Sequence, residues 1–324
     1  MIVVERIESA HLARNLLGNS SRRDLAVYLP PSYATDRSRR YPVVYLLHGF
    51  SSRSTSWGLG PALAFGALIP PIDQLLDEAI ASKAAAELIV VMPDGWSAFG
   101  CANWLNSPVA GSFESYVAEE VVGYVDAHFR TIPRRESRGI TGASSGGMGS
   151  WNIGTSNPEV FSAVAPLSAG GHFDVTARSW FRNYFDRQYP RPLAGPVSGE
   201  INSWLCYGLA SGLSPNVDNP PFFVDLPFEY PSGDVIPAVW DRWLAGDLSL
   251  NWRTRQADLR RLRILLDVGS QDELGLQYGH RILSRGLAGA GIAHEAREYE
   301  GGHTTYLRER AALACEWFSE VLER

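Results

Sequence analysis

Three cysteines in 324 residues, no long basic or acidic run and no apolar stretch of membrane-spanning length set the first limits on this chain. Cys101, Cys206 and Cys315 lie far apart in no CxxC or other metal-ligand spacing, which argues for reduced thiols and against a disulfide framework or a metal centre. A net charge of -6 and a pI near 5.7 without a basic run exclude a nucleic-acid partner. With no run approaching the ~20 apolar residues that a bilayer requires, no membrane association is expected. Met1–Arg6 lacks the basic start and apolar core of a signal peptide, so the expectation is a soluble cytoplasmic protein, a leader upstream of Met1 being left open. Gly142–Gly147 has no Lys-Ser/Thr behind it and no G-x-G-x-x-G follows the first strand pattern, so phosphate-loop and dinucleotide chemistry are excluded. His294-Glu295 stands out of register with His303 for a zinc pair. No cofactor is expected, and internal repeats and low-complexity segments are absent.

What is present is an ordinary globular composition, 45% hydrophobic and 20% charged. Strand patterns fall at 2–7, 22–29, 43–47, 88–92, 139–141, 163–167, 264–268 and 293–299. The runs at 43–47 and 88–92 are apolar throughout, as in strands covered on both faces. Helical patterns at 72–83, 113–129, 145–157, 277–290 and 304–322 separate most of the later strands. Strand alternating with helix predicts an α/β fold with a mostly parallel eight-stranded sheet covered on both faces, its early strands forming an antiparallel edge. One domain spans 1–324. Within it, 168–262 is an aromatic- and proline-rich insertion, too apolar for a linker, expected to fold lid-like over the carboxyl edge of the sheet, with helices at 178–187 and 236–244 and the rest irregular.

The most informative stretch is Gly142-Ala143-Ser144-Ser145-Gly146, between the strand pattern ending at Thr141 and the helix pattern that follows. A G-x-S-x-G at such a junction is a nucleophile elbow, where small residues permit a sharp turn that lifts the serine hydroxyl clear. The helix N-terminus there favours the negative charge that develops when a carbonyl is attacked.

A serine hydroxyl needs a neighbouring base. Among seven histidines, His303 follows Gly301-Gly302 straight after the last strand pattern, at the edge that carries Ser144. His172, near another strand tip, is the rival and a candidate substrate contact. A carboxylate must hold the imidazole in the right tautomer. Asp272 lies beyond the strand at 264–268, with Asp267, Glu273 and Asp94 as alternatives. Two amides should form the oxyanion hole: Ser145 after the nucleophile and Phe50 in the loop after the third strand, with Ser51 in reserve and His48 bracing that loop. Trp57, Trp96, Phe99 and Trp104 come from loops at the same edge and are candidate substrate contacts; the alternative is a small satellite core.

Val27-Tyr28-Leu29-Pro30-Pro31-Ser32-Tyr33, the run from Tyr41 to Phe50, Pro93-Asp94-Gly95, the elbow, Gly269-Ser270-Gln271-Asp272 and Gly301-Gly302-His303 occur in order along the chain. In these segments the sequence resembles the putative esterase family of α/β-hydrolases, which includes esterase D or S-formylglutathione hydrolase, feruloyl esterase domains and antigen 85-type mycolyltransferases. The resemblance implies an α/β-hydrolase fold and a serine carboxylesterase with Ser144, Asp272 and His303 as its triad. The expected substrate is a small-molecule ester with an aromatic or medium-sized hydrophobic moiety. Acyl transfer to an alcohol and a thioesterase of the S-formylglutathione hydrolase kind remain alternatives, as does a homodimer.

Overall fold

Val43–Leu47 (β3) and Ile89–Pro93 (β4) have no exposed residue, and each sends alternate side chains to opposite faces of one sheet. Val43, Tyr45 and Leu47 enter one hydrophobic cluster, Val44 and Leu46 another. Neither face of these strands can meet water, which is why the sequence shows solid apolar runs instead of alternation.

In the computed structural model, residues 1–58, 62–64, 67–181, 201–230 and 232–324 are described. Ile2–Glu8 (β1) and Arg22–Tyr28 (β2) precede this pair; Arg138–Ala143 (β5), Ala163–Leu167 (β6), Arg263–Gly269 (β7) and Glu295–Tyr299 (β8) follow it. The eight strands stand in the order β1-β2-β4-β3-β5-β6-β7-β8. β2 pairs antiparallel with both β1 and β4, and the remaining pairs are parallel. The mostly parallel sheet with an antiparallel edge is therefore as expected.

The helices divide between the two faces. Ile72–Ala81 (α1) and Leu307–Val321 (α7) contribute Ile72, Leu76, Ala311, Cys315 and Phe318 to one cluster. The opposite cluster takes most of its helical residues from three longer helices. These are α2, made of the contiguous pieces Phe113–Ser115, Tyr116–Val121 and Val122–His128, then Ser145–Ser156 (α3) and Leu276–Gly289 (α6). The middle piece of α2 is wound as a π-helix.

Between β6 and β7 the structure contains Ile201–Leu213 (α4) and Pro237–Gly246 (α5). The second matches the helix expected at 236–244; the first lies where irregular chain was expected. Residues 176–181 are helical, and the remainder of the helix expected at 178–187 lies outside the described residues. A third cluster gathers Phe173, Trp180, Tyr207, Phe228, Trp240 and Trp243 from this segment with Phe99 and Met148. The three cysteines are buried and unpaired.

His48 and His280 are buried in this framework. His48 Nε2 accepts from the Gly95 amide at 2.8 Å, so its proton sits on Nδ1 and is donated to the Gly49 carbonyl at 2.9 Å. His280 Nε2 accepts from the Ala169 amide at 2.9 Å. Burial pushes both imidazoles down from 6.5 to about 4. In the unfolded chain they protonate near 6.5, whereas in the fold they stay neutral, so stability is full above that pH and falls as the pH drops toward 4. The loss is on the order of 3 kcal/mol per histidine once both states are protonated. Urea midpoints between pH 8 and 4 check this: the wild-type midpoint falls steeply, and His280→Leu flattens part of the slope.

Candidate active site

Six parallel strands deliver their carboxyl ends to one edge of the sheet, and every loop of interest leaves from there. β5 ends at Ala143 and α3 begins at Ser145, leaving Ser144 alone to turn the chain, at φ 59° and ψ -119°. A Cβ on Gly146 would come within 2.3 Å of the Leu47 carbonyl oxygen, and one on Gly142 within 2.5 Å of the Gly146 carbonyl oxygen. No side chain fits at either place, which is the steric reason for the two glycines. The turn is held by the Ser144 amide donating to the Leu167 carbonyl at 3.0 Å.

The loop after β8 carries His303, and the loop after β7 carries Asp272. His303 Nδ1 hydrogen-bonds Asp272 Oδ2 at 2.8 Å, with the carboxylate side chain fully buried. The other oxygen, Oδ1, accepts from the Leu274 amide at 2.9 Å. With Nδ1 donating to the carboxylate, Nε2 keeps its lone pair. The next residue, Glu273, accepts from the His303 amide at 2.9 Å, so it holds the loop and not the ring. Asp267 is taken up by Arg310, which donates to both carboxylate oxygens. Asp94 accepts from the Trp96 amide at 2.9 Å and faces Arg23 and Arg53.

Ser144 and His303 line one cavity of about 360 Å³ but are not hydrogen-bonded to each other. Catalytic contacts are often loose in ligand-free sites and tighten around a substrate. Among the described residues the cavity wall is mostly apolar: Phe50, Trp57, Leu205, Leu274 and Leu307, with Arg308 beside them. Arg308 is buried and donates to the carbonyls of Ser56, at 2.8 Å, and Pro70, at 3.2 Å, which ties the turn carrying Trp57 to α7.

The amides of Phe50, Ser51 and Ser145 have no hydrogen-bond partner among the described residues. Phe50 and Ser51 line the cavity, and Ser145 opens α3, where amides are free by helix geometry. His48 links the loop of Phe50 to the loop after β4 through its bonds to Gly49 and Gly95.

The structure puts the other expected contacts elsewhere. Trp104 has φ 62° and its ring is buried against the backbone of Gly95 and Gly149, with Nε1 donating to the His48 carbonyl at 3.1 Å. It supports the loop from behind. Trp96 lies against a different cavity, and the Arg53 guanidinium covers its ring at 4.5 Å. His172 is absent from the described lining; its amide donates to Asp247 Oδ1 at 2.9 Å. Phe99 joins the aromatic cluster of the long segment. The sequence reading missed Leu205, Leu274, Leu307 and Arg308 as lining residues; only their adjacency to His303 and Asp272, for the last three, could have signalled them.

Eight strands in this order, with a strained serine after β5 and a paired histidine after β8, define an α/β-hydrolase fold. A family model described as "Putative esterase" matches residues 19–307, and the chain belongs to that family. Among curated proteins, an esterase of Mycobacterium tuberculosis is 26% identical over 293 residues, covering 86% of this chain and 51% of that protein. An endo-1,4-beta-xylanase/feruloyl esterase of Xylanibacter ruminicola is 32% identical over 147 residues, 44% of this chain and 19% of that protein. The chain thus spans about half or less of the length of these relatives. Of solved structures, a ferulic acid esterase superposes with a TM-score of 0.65 at 20% identity, covering 99% of this chain and 98% of the other. An S-formylglutathione hydrolase from Agrobacterium tumefaciens gives 0.61 at 19% identity, covering 100% and 96%. At these identities the superpositions establish the fold. Among the described residues no helix is long and apolar enough to cross a membrane, and no group of three or more His, Cys, Asp or Glu side chains could hold a metal ion.

Proposed function

We propose that the chain hydrolyses carboxylic esters through an acyl-enzyme on Ser144. The observation that carries this reading is the 2.8 Å bond from His303 Nδ1 to buried Asp272, on the cavity that Ser144 also lines. Ser144 Oγ attacks the ester carbonyl carbon and its proton passes to His303 Nε2. The amides of Phe50 and Ser145 hold the oxyanion. As the carbonyl re-forms, the C–O bond to the alcohol breaks and the alcohol leaves with the proton from His303. Water then attacks the acyl-enzyme, gives its proton to His303, and the acid departs as Ser144 regains that proton. Asp272 fixes the tautomer and stabilises the imidazolium.

The substrate class follows from the cavity. A volume of about 360 Å³ walled by Phe50, Trp57, Leu205, Leu274 and Leu307 suits an aromatic or medium-sized apolar acyl group. Family membership and the feruloyl esterase relative support hydroxycinnamate esters as first candidates. The segment 168–262, which supplies Leu205, acts in this reading as a cover over that edge.

The test is a screen across p-nitrophenyl esters of increasing acyl length, methyl hydroxycinnamates and a thioester. The expected preference is for aromatic acyl esters. Trp57→Ala should raise their KM about 10- to 100-fold, the worth of one aromatic wall, while kcat on an acetyl ester changes little. Equal losses on acetyl and aromatic esters would remove Trp57 from the acyl site, and a thioester preferred over every oxygen ester would overturn the substrate class.

A further inference from the structure

β2 runs antiparallel to its neighbours, so its first residues lie at the same sheet edge as the last residues of β1 and β4. Arg6 pairs across from Asp24, and Leu25 from Pro93. Three chain segments therefore bring Arg6, Arg22, Arg23 and Arg53 around one cavity of about 440 Å³, which a fourth segment at Asp94–Ala98 completes, separate from the cavity of Ser144. Its described carboxylates are two, Asp24 and Asp94.

The charges do not balance. Arg6 is matched by Asp24 at 2.6 Å. Asp94 is shared between Arg23 at 3.4 Å and Arg53 at 3.5 Å, too long for either to be a tight pair. Arg22 has no ion pair among the described residues.

Arg23 is the anomaly. Its side chain is only 4% exposed, yet only Nη1 is used, in bonds to Asp94 and to the Trp96 carbonyl at 2.7 Å. Nε and Nη2 have no partner among the described residues, nor does the buried Ser97 hydroxyl between the lining residues Trp96 and Ala98. Phe113 lies 5.3 Å from the guanidinium carbon. A buried, unmatched donor costs about 1–3 kcal/mol, a cost that a fold sheds when an acceptor binds. Burial lowers the Arg23 pKa, in keeping with a guanidinium short of counter-charge.

We propose that this cavity is a second ligand site, for a small dianion carrying phosphate or two carboxylates. Two surplus guanidiniums fix the charge, and Arg53, half-exposed and stacked on Trp96, supplies a pre-oriented fork in the lining. The site depends on no property of Ser144, so its test stands apart from the esterase reading.

The test is calorimetric titration with inorganic phosphate, and separately with succinate, at ionic strength held constant with sodium chloride. A saturable one-to-one isotherm with Kd below about 5 mM is expected for at least one of them, weakened about tenfold by each of Arg22→Gln and Arg53→Gln, as for one lost charge-assisted bond. Arg285→Gln, remote from this cavity, should leave Kd unchanged. Both substituted side chains are exposed, so folding is retained. The proposal fails if neither anion saturates, or if Arg285→Gln weakens binding as much as Arg22→Gln and Arg53→Gln do.

Discussion

Ser144→Ala should abolish labelling by a fluorophosphonate and lower kcat on an aromatic ester by about 10⁵-fold or more, with no loss of stability. The stability half of this expectation comes from the geometry. Among the described residues the Ser144 hydroxyl makes no hydrogen bond, so the fold gives up nothing when the oxygen is removed. Alanine inherits the same backbone at φ 59°, a conformation that costs any residue with a side chain on the order of 1–3 kcal/mol. Ser144→Gly goes further: glycine occupies that region without strain, and the protein should become more stable by about 1 kcal/mol while remaining inactive. A urea midpoint that rises for Ser144→Gly, holds for Ser144→Ala and accompanies lost labelling in both would mark a position kept for chemistry against stability. Retained fluorophosphonate labelling in Ser144→Ala would move the nucleophile elsewhere and end the esterase proposal.

The parts of the fold visible in the sequence are those where sterics or burial leave few choices. β3 and β4 lie between two hydrophobic clusters, and their unbroken apolar runs record it. The elbow is legible because only glycine clears the Leu47 and Gly146 carbonyls. α4 was not legible for the opposite reason. Ile201–Leu213 is interrupted by Gly208 and Gly212, which sequence reasoning takes as helix breakers. Gly208 is there because the helix packs so close to the loop at 99–101 that a Cβ would meet the Cys101 carbonyl at 2.8 Å and the Phe50 ring at 2.9 Å. That approach involves residues more than a hundred positions away, and no local pattern encodes it. The start of α7 differs from the expected 304 because Tyr306 turns at φ 57° before the helix begins at Leu307.

Side-chain direction was the main thing hidden at the candidate site. Trp57, Trp96 and Trp104 all occur in carboxyl-edge loops, and residue type alone treats them alike. Backbone and neighbours separate them: Trp57 lines the cavity, Trp104 packs behind the loop on two glycines, and Trp96 is capped by Arg53. The arginine cavity was hidden too, since its members are spread over 6–98 in sequence and the antiparallel run of β2 brings its start to the ends of β1 and β4.

The competition between two adjacent carboxylates, Asp272 and Glu273, leads to the second large effect. Asp272→Asn should lower kcat/KM by about 10⁴-fold, whereas Glu273→Gln should cost about tenfold or less. The asymmetry follows from how the Asp272 carboxylate is held. Oδ1 is fixed by the Leu274 amide at 2.9 Å, and an asparagine must keep its carbonyl oxygen there to satisfy that buried donor. Its NH₂ is then forced toward His303 Nδ1, which must present a lone pair, and the ring proton moves to Nε2. That tautomer cannot take the proton of Ser144, so acylation fails although packing is unchanged. Glu273 contacts the His303 backbone at 2.9 Å, and glutamine can still accept there through its own carbonyl oxygen, so the ring keeps its tautomer. Steady-state kinetics of the two variants, with the burst of p-nitrophenol measured in each, separate the roles. Asp272→Asn should lose the burst and Glu273→Gln should keep it. If the losses are reversed, the orienting carboxylate is Glu273, and the 2.8 Å bond from Asp272 to His303 belongs to the resting site alone.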